Sequence, residues 1–418
     1  MNYSEKYFKS KYLKYKEKYL NLKITQNGQR SKSSFNLEGG AAYPGGGGAP
    51  IRPNTFIPSA QDPNILQDYS VSIHKYETPG YTGLRGTTED KHIVYRQVQE
   101  RDPGYPEGKV ADITLCVVLD GHSDRGEVTT LAKNYMNLIL PQYINKLLRF
   151  IQNEEIRTKT YATVAFIDTQ INGLMAEIFE RTDEYVRENH RGNGGCTCSI
   201  ALLFKYNFNK LYCATLGDSP IIAYTPTLTS YQMILKTDDH DLNNLSELAR
   251  IQEIIKLTDK RDVIVYDEHN NPRIRGSISA LAPTAGFGDF SFFVQDRTGA
   301  RVDLIKRTPE IRSCIMPPGS FFIIASDSIY EAIRYDPVNL DDKPYISGKP
   351  YIGGDSEKRL PQIQAFINSP ESTIRNPSVL TNISELQYNH HMDLLKEEAG
   401  QDVRGMADNY TCIFVKLL

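Results

Sequence analysis

A short apolar run that ends in an acid constrains this chain more than any other feature. Residues 113–119 read Ile-Thr-Leu-Cys-Val-Val-Leu and lead directly into Asp120, Gly121 and His122. A short, valine-rich run that stops at a glycine predicts a buried strand rather than a helix. A carboxylate at the mouth of a buried strand needs a partner. A divalent cation is one such partner, and an ordinary turn closed by Asp120 is the alternative for this tripeptide alone.

Two further acids stand beside strand-like runs elsewhere in the chain. Asp327 follows the apolar segment 321–325, and Asp408 precedes the segment 411–415. Together with Asp120 they predict one oxygen-lined metal site. Oxygen ligands without a His or Cys cluster favour Mg²⁺ or Mn²⁺ over zinc. Two such ions can activate a water molecule for attack on phosphate.

Apolar residues at helical spacing predict two long, core-facing helices over 126–151 and 162–189. Pro141 is a predicted kink in the first of them. A shorter helix is predicted over 245–256, and another over 383–399. Strands are predicted at 199–204, 211–215, 221–224, 321–325 and 411–415.

Composition indicates an intracellular globular protein. The chain has 418 residues, a formal net charge of −3 and no apolar run long enough for a membrane span. That charge supplies no overall field for nucleic acid or for a membrane surface. The six cysteines are scattered, and several lie in apolar runs, which predicts reduced core thiols. Core packing is also the preferred interpretation of Cys196 and Cys198, because no second pair completes a zinc site.

The N-terminal 60 residues differ in composition from the rest. Residues 1–24 carry tyrosines and lysines at near-helical spacing, which predicts a basic helical extension for a partner or a membrane surface, or a solvated tail. Residues 25–60 are rich in Gly, Ser and Pro and predict a flexible linker. The segment 12–23 is similar to stretches that open many giant-virus (mimivirus-like) proteins, which points to a host-cytoplasm or virion location. The globular domain is then expected over 61–418, with an insertion near 334–380.

Eight short blocks give this domain a specific pattern. They are Arg-Gly-Thr-Thr-Glu-Asp-Lys-His at 85–92, Val-Leu-Asp-Gly-His at 118–122, Gly-Cys-Thr-Cys at 195–198, Leu-Gly-Asp-Ser at 216–219, Asp239-His240 with Asn244, Glu247 and Arg250, the segment 281–290, Ile-Ala-Ser-Asp at 324–327 and Asp-Asn-Tyr-Thr at 408–411. In this order they resemble the metal-dependent type 2C (PPM) serine/threonine protein phosphatases, from about residue 69 to the C-terminus.

The resemblance implies a fold, an activity and a partner. The fold is an α+β, four-layer α-β-β-α sandwich of two antiparallel sheets flanked by helices. The activity is hydrolysis of phosphoserine and phosphothreonine on proteins, with two Mg²⁺ or Mn²⁺ ions, a looser third ion and a metal-activated water. The partner is a phosphoprotein substrate, and the chain is expected to be a monomer that binds no nucleic acid.

The resemblance also assigns metal ligands. Asp120 would bridge the two ions, and the carbonyl of Gly121 would bind the second. Asp327 and Asp408 would bind the first ion.

Five further residues receive roles from the same resemblance. Glu89 and Asp90 would orient water molecules on the metals, and Asp218 would help to hold the third ion. Arg85 would bind the substrate phosphate, a task that suits a bidentate guanidinium. His122 would be the general acid that protonates the departing serine or threonine oxygen.

The chain departs from the family pattern at several positions. Ser123 and Asp124 replace the glycines usual after the histidine, and Ser328 replaces a glycine after the metal-binding acid. Pro220 and Ala285 stand where the family has arginines. All expected metal ligands and Arg85 are present, which favours a competent enzyme. The alternative is a catalytically weak or dead pseudophosphatase that binds phosphoproteins; a two-metal nuclease would show a basic, aromatic groove that the core lacks.

Overall fold

The computed structural model describes the core of the predicted domain. It covers residues 66–68, 71–77, 89–98, 111–123, 126–158, 160–258, 260, 262–267, 271–276, 279–327 and 411–417. The predicted extension 1–24, the linker 25–60, the insertion 334–380 and the predicted helix 383–399 lie outside these residues. Arg85, Asp124, Ser328 and Asp408 also lie outside them.

The described residues form strands and helices in the following order. The strands are β1 (Leu66–Asp68), β2 (Val71–Glu77), β3 (Lys91–Val98), β4 (Asp112–Leu119), β5 (Gly121–His122), β6 (Gly195–Cys196), β7 (Cys198–Lys205), β8 (Asn209–Leu216), β9 (Ile221–Pro226), β10 (Tyr231–Lys236), β11 (Ile264–Tyr266), β12 (Pro272–Arg275), β13 (Ala280–Leu281), β14 (Phe287–Gly288), β15 (Phe293–Gln295), β16 (Arg301–Asp303), β17 (Glu310–Ile315), β18 (Phe321–Ala325) and β19 (Thr411–Leu417). The helices are α1 (Glu127–Thr158), α2 (Val164–Asn189) and α3 (Leu245–Thr258).

The first large sheet is built around β4, and its strands are all antiparallel in the order β17-β8-β7-β4-β3. Every residue of β4 is buried. Leu115 and Val117 pack in the cluster that includes the helix residues, whereas Cys116 and Val118 pack in the cluster shared with the second sheet. Because successive side chains of a strand point to opposite faces, a strand covered on both faces reads as a continuous apolar run.

The second sheet is also antiparallel, in the order β1-β2-β19-β18-β9-β10. Phe322 and Ile324 of β18 face the first sheet and share its core cluster. On the opposite face, Phe321 stacks between Tyr224 and Phe414, with ring centroids 5.1 and 5.0 Å away. Two facing antiparallel sheets with helices on one of them confirm the predicted α+β class.

The long helices α1 and α2 cover the first sheet. The predicted helix 126–151 extends to Thr158 and continues through Pro141. Helix α2 begins after Thr163, whose hydroxyl oxygen accepts a hydrogen bond from the backbone N–H of Phe166 at 3.2 Å. This capping satisfies one of the backbone donors that a helix start leaves unpaired. Core residues of α2 recur every three or four positions, as predicted: Ile167, Ile171, Leu174 and Ile178.

The cysteines are core thiols, as the sequence predicts. All six are free, and every one except Cys314 is buried. Burial raises the pKa of the Cys198 and Cys213 thiols well above the ordinary range, since a buried thiolate loses its hydration. These thiols are therefore unreactive packing groups.

No helix in the described part of the chain is long and apolar enough to cross a membrane.

Candidate active site

The strand register of the first sheet brings three acid-bearing segments to one edge. Lys91 pairs with Leu119, Val118 with Ser199, and Cys198 with Leu216. The start of β3, the end of β4 and the end of β8 therefore lie side by side. The segments that carry the predicted site acids adjoin these three ends: Glu89 and Asp90, Asp120, and Asp218.

The second sheet presents its own acid at the same end of the sandwich. Ala325 pairs with Cys412, and Ile324 pairs with Ile221, so the end of β18 lies beside the starts of β19 and β9. Residues 217–220 join β8 of the first sheet to β9 of the second, so the two edges share one end. Asp327, two residues beyond β18, lies at this end.

Strand β19, which follows Asp408 in the sequence, begins beside Ser326. The backbone N–H of Ser326 donates to the carbonyl of Thr411 at 2.9 Å. The N–H of Thr411 in turn donates to the hydroxyl oxygen of Ser326 at 3.0 Å. Asp408 itself lies outside the described residues, three positions before Thr411. Its predicted role as a ligand therefore stays a prediction.

The electrostatics of Asp218 reveal a concentration of negative charge. Burial raises the pKa of this carboxyl well above its ordinary value, and the nearby carboxylates of Asp327, Asp241 and Asp239 raise it further. Two of the predicted ligands, Asp218 and Asp327, thus lie close enough to repel each other. Repulsion among carboxylates is what a bound cation relieves, so this donor set fits a divalent metal.

The described residues do not form a complete metal cage. Among them, no group of three or more His, Cys, Asp or Glu side chains is arranged so that it could hold a metal ion. Asp239 and Asp241, which were not predicted as ligands, belong to the same acidic region. Asp241 is engaged by its own turn, because one carboxylate oxygen accepts the backbone N–H groups of Asn243 and Asn244 at 2.9 and 3.1 Å.

We expect the Asp218→Asn substitution to stabilise the metal-free protein. The folded-state pKa of Asp218 lies above its unfolded value, so the stability it contributes at low pH is lost as the pH rises through the folded-state pKa. At pH 7 in EDTA the asparagine should increase the free energy of unfolding on the order of 1 kcal/mol. That increase would raise the melting temperature by a few degrees. Calorimetry checks this, with the exposed Asp262→Asn as control; a lower melting temperature for Asp218→Asn would contradict it.

Close backbone approach explains why glycine follows Asp120. A Cβ atom at Gly121 would lie 2.5 Å from the carbonyl oxygen of Glu89 and 2.9 Å from the methyl carbon of Thr129. The Thr129 hydroxyl donates to the same Glu89 carbonyl at 2.6 Å. Gly121 therefore lets the chain that bears the buried Glu89 and Asp90 pack directly against the Asp120–His122 segment.

Ser123 keeps the left-handed backbone that a glycine would adopt easily. Its φ is 73°, a region that costs about 1–2 kcal/mol for a residue with a Cβ atom. We expect Ser123→Gly to stabilise the protein by about 1 kcal/mol, because relief of strain exceeds the greater freedom of glycine in the unfolded chain. Calorimetry should show a higher melting temperature, whereas Ser313→Gly in the exposed part of β17 should lower it. Equal shifts in melting temperature for Ser123→Gly and Ser313→Gly would contradict the expectation that the backbone at Ser123 is strained.

His122 is held by a buried acid. Strands β5, β6 and β14 form a small sheet in which His122 pairs with Gly195, and Gly195 with Gly288. The next residue, Asp289, is 1% exposed, and its carboxylate oxygen Oδ2 lies 2.7 Å from Nε2 of His122. A Cβ atom at Gly195 would lie 2.1 Å from that oxygen. Glycine at 195 is therefore what leaves room for the pair.

Asp289 belongs to one of the eight matching blocks, but the resemblance assigned it no role. The available signal was an acid directly after a glycine, as at Gly217-Asp218. Its pairing partner could not be read from the sequence, because His122 is 167 residues away along the chain.

A neutral histidine supports the segment that carries Asp218. Nδ1 of His240 accepts a hydrogen bond from the backbone N–H of Gly217 at 3.1 Å. The backbone N–H of His240 donates to the Gly217 carbonyl at 3.0 Å. Burial lowers the pKa of His240 to about 4, with the positive charge of Lys306 adding to the effect. The ring is therefore uncharged at neutral pH, and its role next to Asp218 is structural.

The block around α3 fixes the segment that precedes Asp289. Arg250 donates to the carbonyl of Thr284 at 3.0 Å and pairs with Glu247 at 2.8 Å. The Thr284 hydroxyl donates to the same Glu247 carboxylate at 2.7 Å. These contacts tie α3 to the chain that runs on into β14.

The sequence matches a known protein family over more than half of its length. A family model described as protein phosphatase 2C matches residues 75–338. Over 268 residues the chain is 23% identical to Protein spalten of Dictyostelium discoideum, an alignment that covers 61% of this chain. It spans only 22% of that much longer protein.

Two solved structures align with this chain over most of its length. The serine-threonine phosphatase 2C from Toxoplasma gondii aligns with a TM-score of 0.52 at 15% identity, and the alignment covers 85% of this chain and 97% of that one. Another Toxoplasma gondii phosphatase aligns with a TM-score of 0.40 at 12% identity, over 71% and 80% of the two chains. The first of these alignments shows a shared fold.

Proposed function

The chain belongs to the protein phosphatase 2C family, and we propose that it hydrolyses phosphoserine and phosphothreonine on proteins with Mg²⁺ or Mn²⁺. The observation that carries this proposal is the meeting of acids from both sheets at one end of the sandwich. Asp218 and Asp327 interact there, and Asp120 ends β4 at the same end. His122, with its buried Asp289, extends from the strand end that carries Asp120.

The proposed metal ligands are the carboxylates of Asp120, Asp327 and Asp408 and the carbonyl oxygen of Gly121. A bound divalent cation supplies Lewis-acid activation of the attacking water and neutralises charge on the phosphoryl oxygens. The glycine brings a backbone carbonyl into this donor set, and hard cations accept carbonyl and carboxylate oxygens alike.

Three other acids act around these ligands in the proposal. Glu89 and Asp90 orient water molecules, and their burial against Gly121 supports that role. Asp218 contributes to a looser third position, which its interaction with Asp327 supports. Two ions and a looser third are accordingly proposed.

The proposed protein groups that handle phosphate and proton are Arg85 and His122. Arg85 binds the phosphate oxygens through its planar guanidinium. Nε2 of His122 lies 2.7 Å from the Asp289 carboxylate, and the proposal assigns to the imidazole the transfer of a proton to the leaving oxygen of serine or threonine. A carboxylate that accepts the Nε2–H orients the ring and stabilises its positive charge.

Phosphate release from phosphopeptides tests the proposal. We expect the full chain with Mn²⁺ to release inorganic phosphate from phosphoserine and phosphothreonine peptides, detected with malachite green. EDTA should stop release, and added Mn²⁺ should restore it. Binding of phosphopeptides with no release in Mn²⁺ or Mg²⁺ would overturn the proposal in favour of the catalytically dead, phosphoprotein-binding alternative.

A further inference from the structure

The buried pair His122–Asp289 has a cation behind it. Arg307 follows the segment that pairs with residues 284–286, and its side chain is only 16% exposed. We propose that Arg307 is a positioning residue, which holds the carboxylate of Asp289 in the orientation that binds His122. This inference rests on the proposed phosphatase activity.

Backbone pairing fixes Arg307 beside Asp289. The N–H of Lys306 donates to the carbonyl of Thr284 at 2.9 Å, and the N–H of Gly286 donates to the carbonyl of Lys306 at 3.2 Å. Nη1 of Arg307 donates to the carbonyl of Gly286 at 2.5 Å. The guanidinium is therefore attached to the chain three residues before Asp289.

A second contact fixes the guanidinium on the other side of Asp289. Its central carbon lies 5.0 Å from the ring centroid of Phe290, a cation–π distance. Arg307 thus contacts the residues that flank Asp289 in both directions along the chain. A guanidinium held at these two points stays close enough to the Asp289 carboxylate for the two charges to interact.

The guanidinium of Arg307 interacts electrostatically with nearby carboxylates. Burial lowers the pKa of Arg307, while the carboxylates of Asp183, Asp289 and Asp303 raise it, in that order. Nη1 lies 3.7 Å from Oδ1 of Asp183. Arginine keeps its proton under these conditions because its intrinsic pKa is so high. The cation therefore interacts with three acids, one of which binds His122.

The remaining polar atoms are complementary. Nε and Nη2 of Arg307 are buried and have no hydrogen-bond partner among the residues that the structure describes. Oδ1 of Asp289 is likewise buried and has no hydrogen-bond partner among those residues. Oδ2 of Asp289 is occupied by His122. Buried polar groups left unpaired are costly, so the spare N–H groups and the spare oxygen favour pairing with each other.

A purely structural role for Arg307 and a positioning role predict different kinetic results for its variants. If Arg307 acts through Asp289 on His122, its loss weakens only the protonation of the leaving oxygen. A phosphoserine peptide needs that proton, because an alkoxide is a poor leaving group. 2,4-Dinitrophenyl phosphate does not need it, because its phenolate leaves unprotonated.

The experiment compares both substrates in the full chain with Mn²⁺. We expect Arg307→Met to lower kcat for the phosphoserine peptide on the order of 10-fold to 100-fold, and to change kcat for 2,4-dinitrophenyl phosphate by less than about threefold. Arg307→Lys keeps the charge but loses the planar fork, so it should show the same difference between substrates to a smaller extent.

The matched control is Arg187→Met. Arg187 also stacks on Phe290, at 4.6 Å, and binds Asp183 at 3.1 Å, but it lies on α2. It should affect both substrates equally or not at all. Arg307 variants that do the same would overturn the inference, and if Arg307→Met does not fold, Arg307→Lys decides it. A wild-type chain that cleaves neither substrate would instead refute the proposed function.

Discussion

Replacing Asp120 by asparagine should lower phosphate release on the order of 10³-fold, since the variant loses several kcal/mol of charge stabilisation in the transition state. Asp120 ends the fully buried strand β4 and is the acid proposed to contact both ions. An amide keeps the shape of the carboxylate but not its charge. The assay is malachite-green detection with a phosphoserine peptide and saturating Mn²⁺.

Melting temperatures and a control variant test whether the loss of activity comes from misfolding instead of from loss of the metal site. The Asp120→Asn variant should melt within a few degrees of the wild type in EDTA, and Mn²⁺ should raise its melting temperature less than it raises that of the wild type. The exposed Asp262→Asn, the same chemical change away from the site, should keep wild-type activity. Activity of Asp120→Asn within about tenfold of the wild type would remove Asp120 from the proposed metal site.

Replacing Asp289 by asparagine should lower kcat for the phosphoserine peptide on the order of 10²-fold to 10³-fold. The carboxylate oxygen that lies 2.7 Å from Nε2 of His122 accepts a hydrogen bond from the ring N–H. An amide can present its NH₂ group instead, which favours the wrong tautomer and removes the charge that stabilises the protonated ring. The rate with 2,4-dinitrophenyl phosphate should change far less.

The control for Asp289 is the exposed Asp262→Asn. The carboxylate of Asp262 lies 3.6 Å from the guanidinium of Arg275, and its side chain is 75% exposed. Both substrates should be cleaved by this variant at wild-type rates. If Asp289→Asn slows the two substrates equally, His122 is not the proton donor for the leaving group.

Much of the fold follows from the chain's apolar patterning. The continuous apolar run of β4 predicted a buried strand, and the structure shows that both of its faces are covered, since Leu115 and Cys116 pack in different core clusters. The stripe at Ile167, Ile171 and Leu174 predicted the buried face of α2, which the structure confirms. These patterns are strong because burial on a fixed period leaves little choice of residue type.

The site could be predicted less completely than the fold, because its contacts join residues that lie far apart in the sequence. The pairing of His122 with Asp289 and the approach of Arg307 arise only when β5, β6 and β14 form a sheet. Ala285, where the family pattern has an arginine, suggested a lost charge. In the fold, Arg307 brings a guanidinium to the adjoining Gly286 from another segment. A pattern in sequence cannot register such a substitution between segments.

Residues 217–220 pass from the first sheet to the second, and acids from both sheets meet at that crossing. No short peptide from the chain contains all the proposed ligands, since they extend from Asp120 to Asp408 along the sequence and come from strands of both sheets. Activity would then appear late in folding and all at once. A nascent or partly degraded chain would remain chemically silent, so that only intact molecules act on their targets.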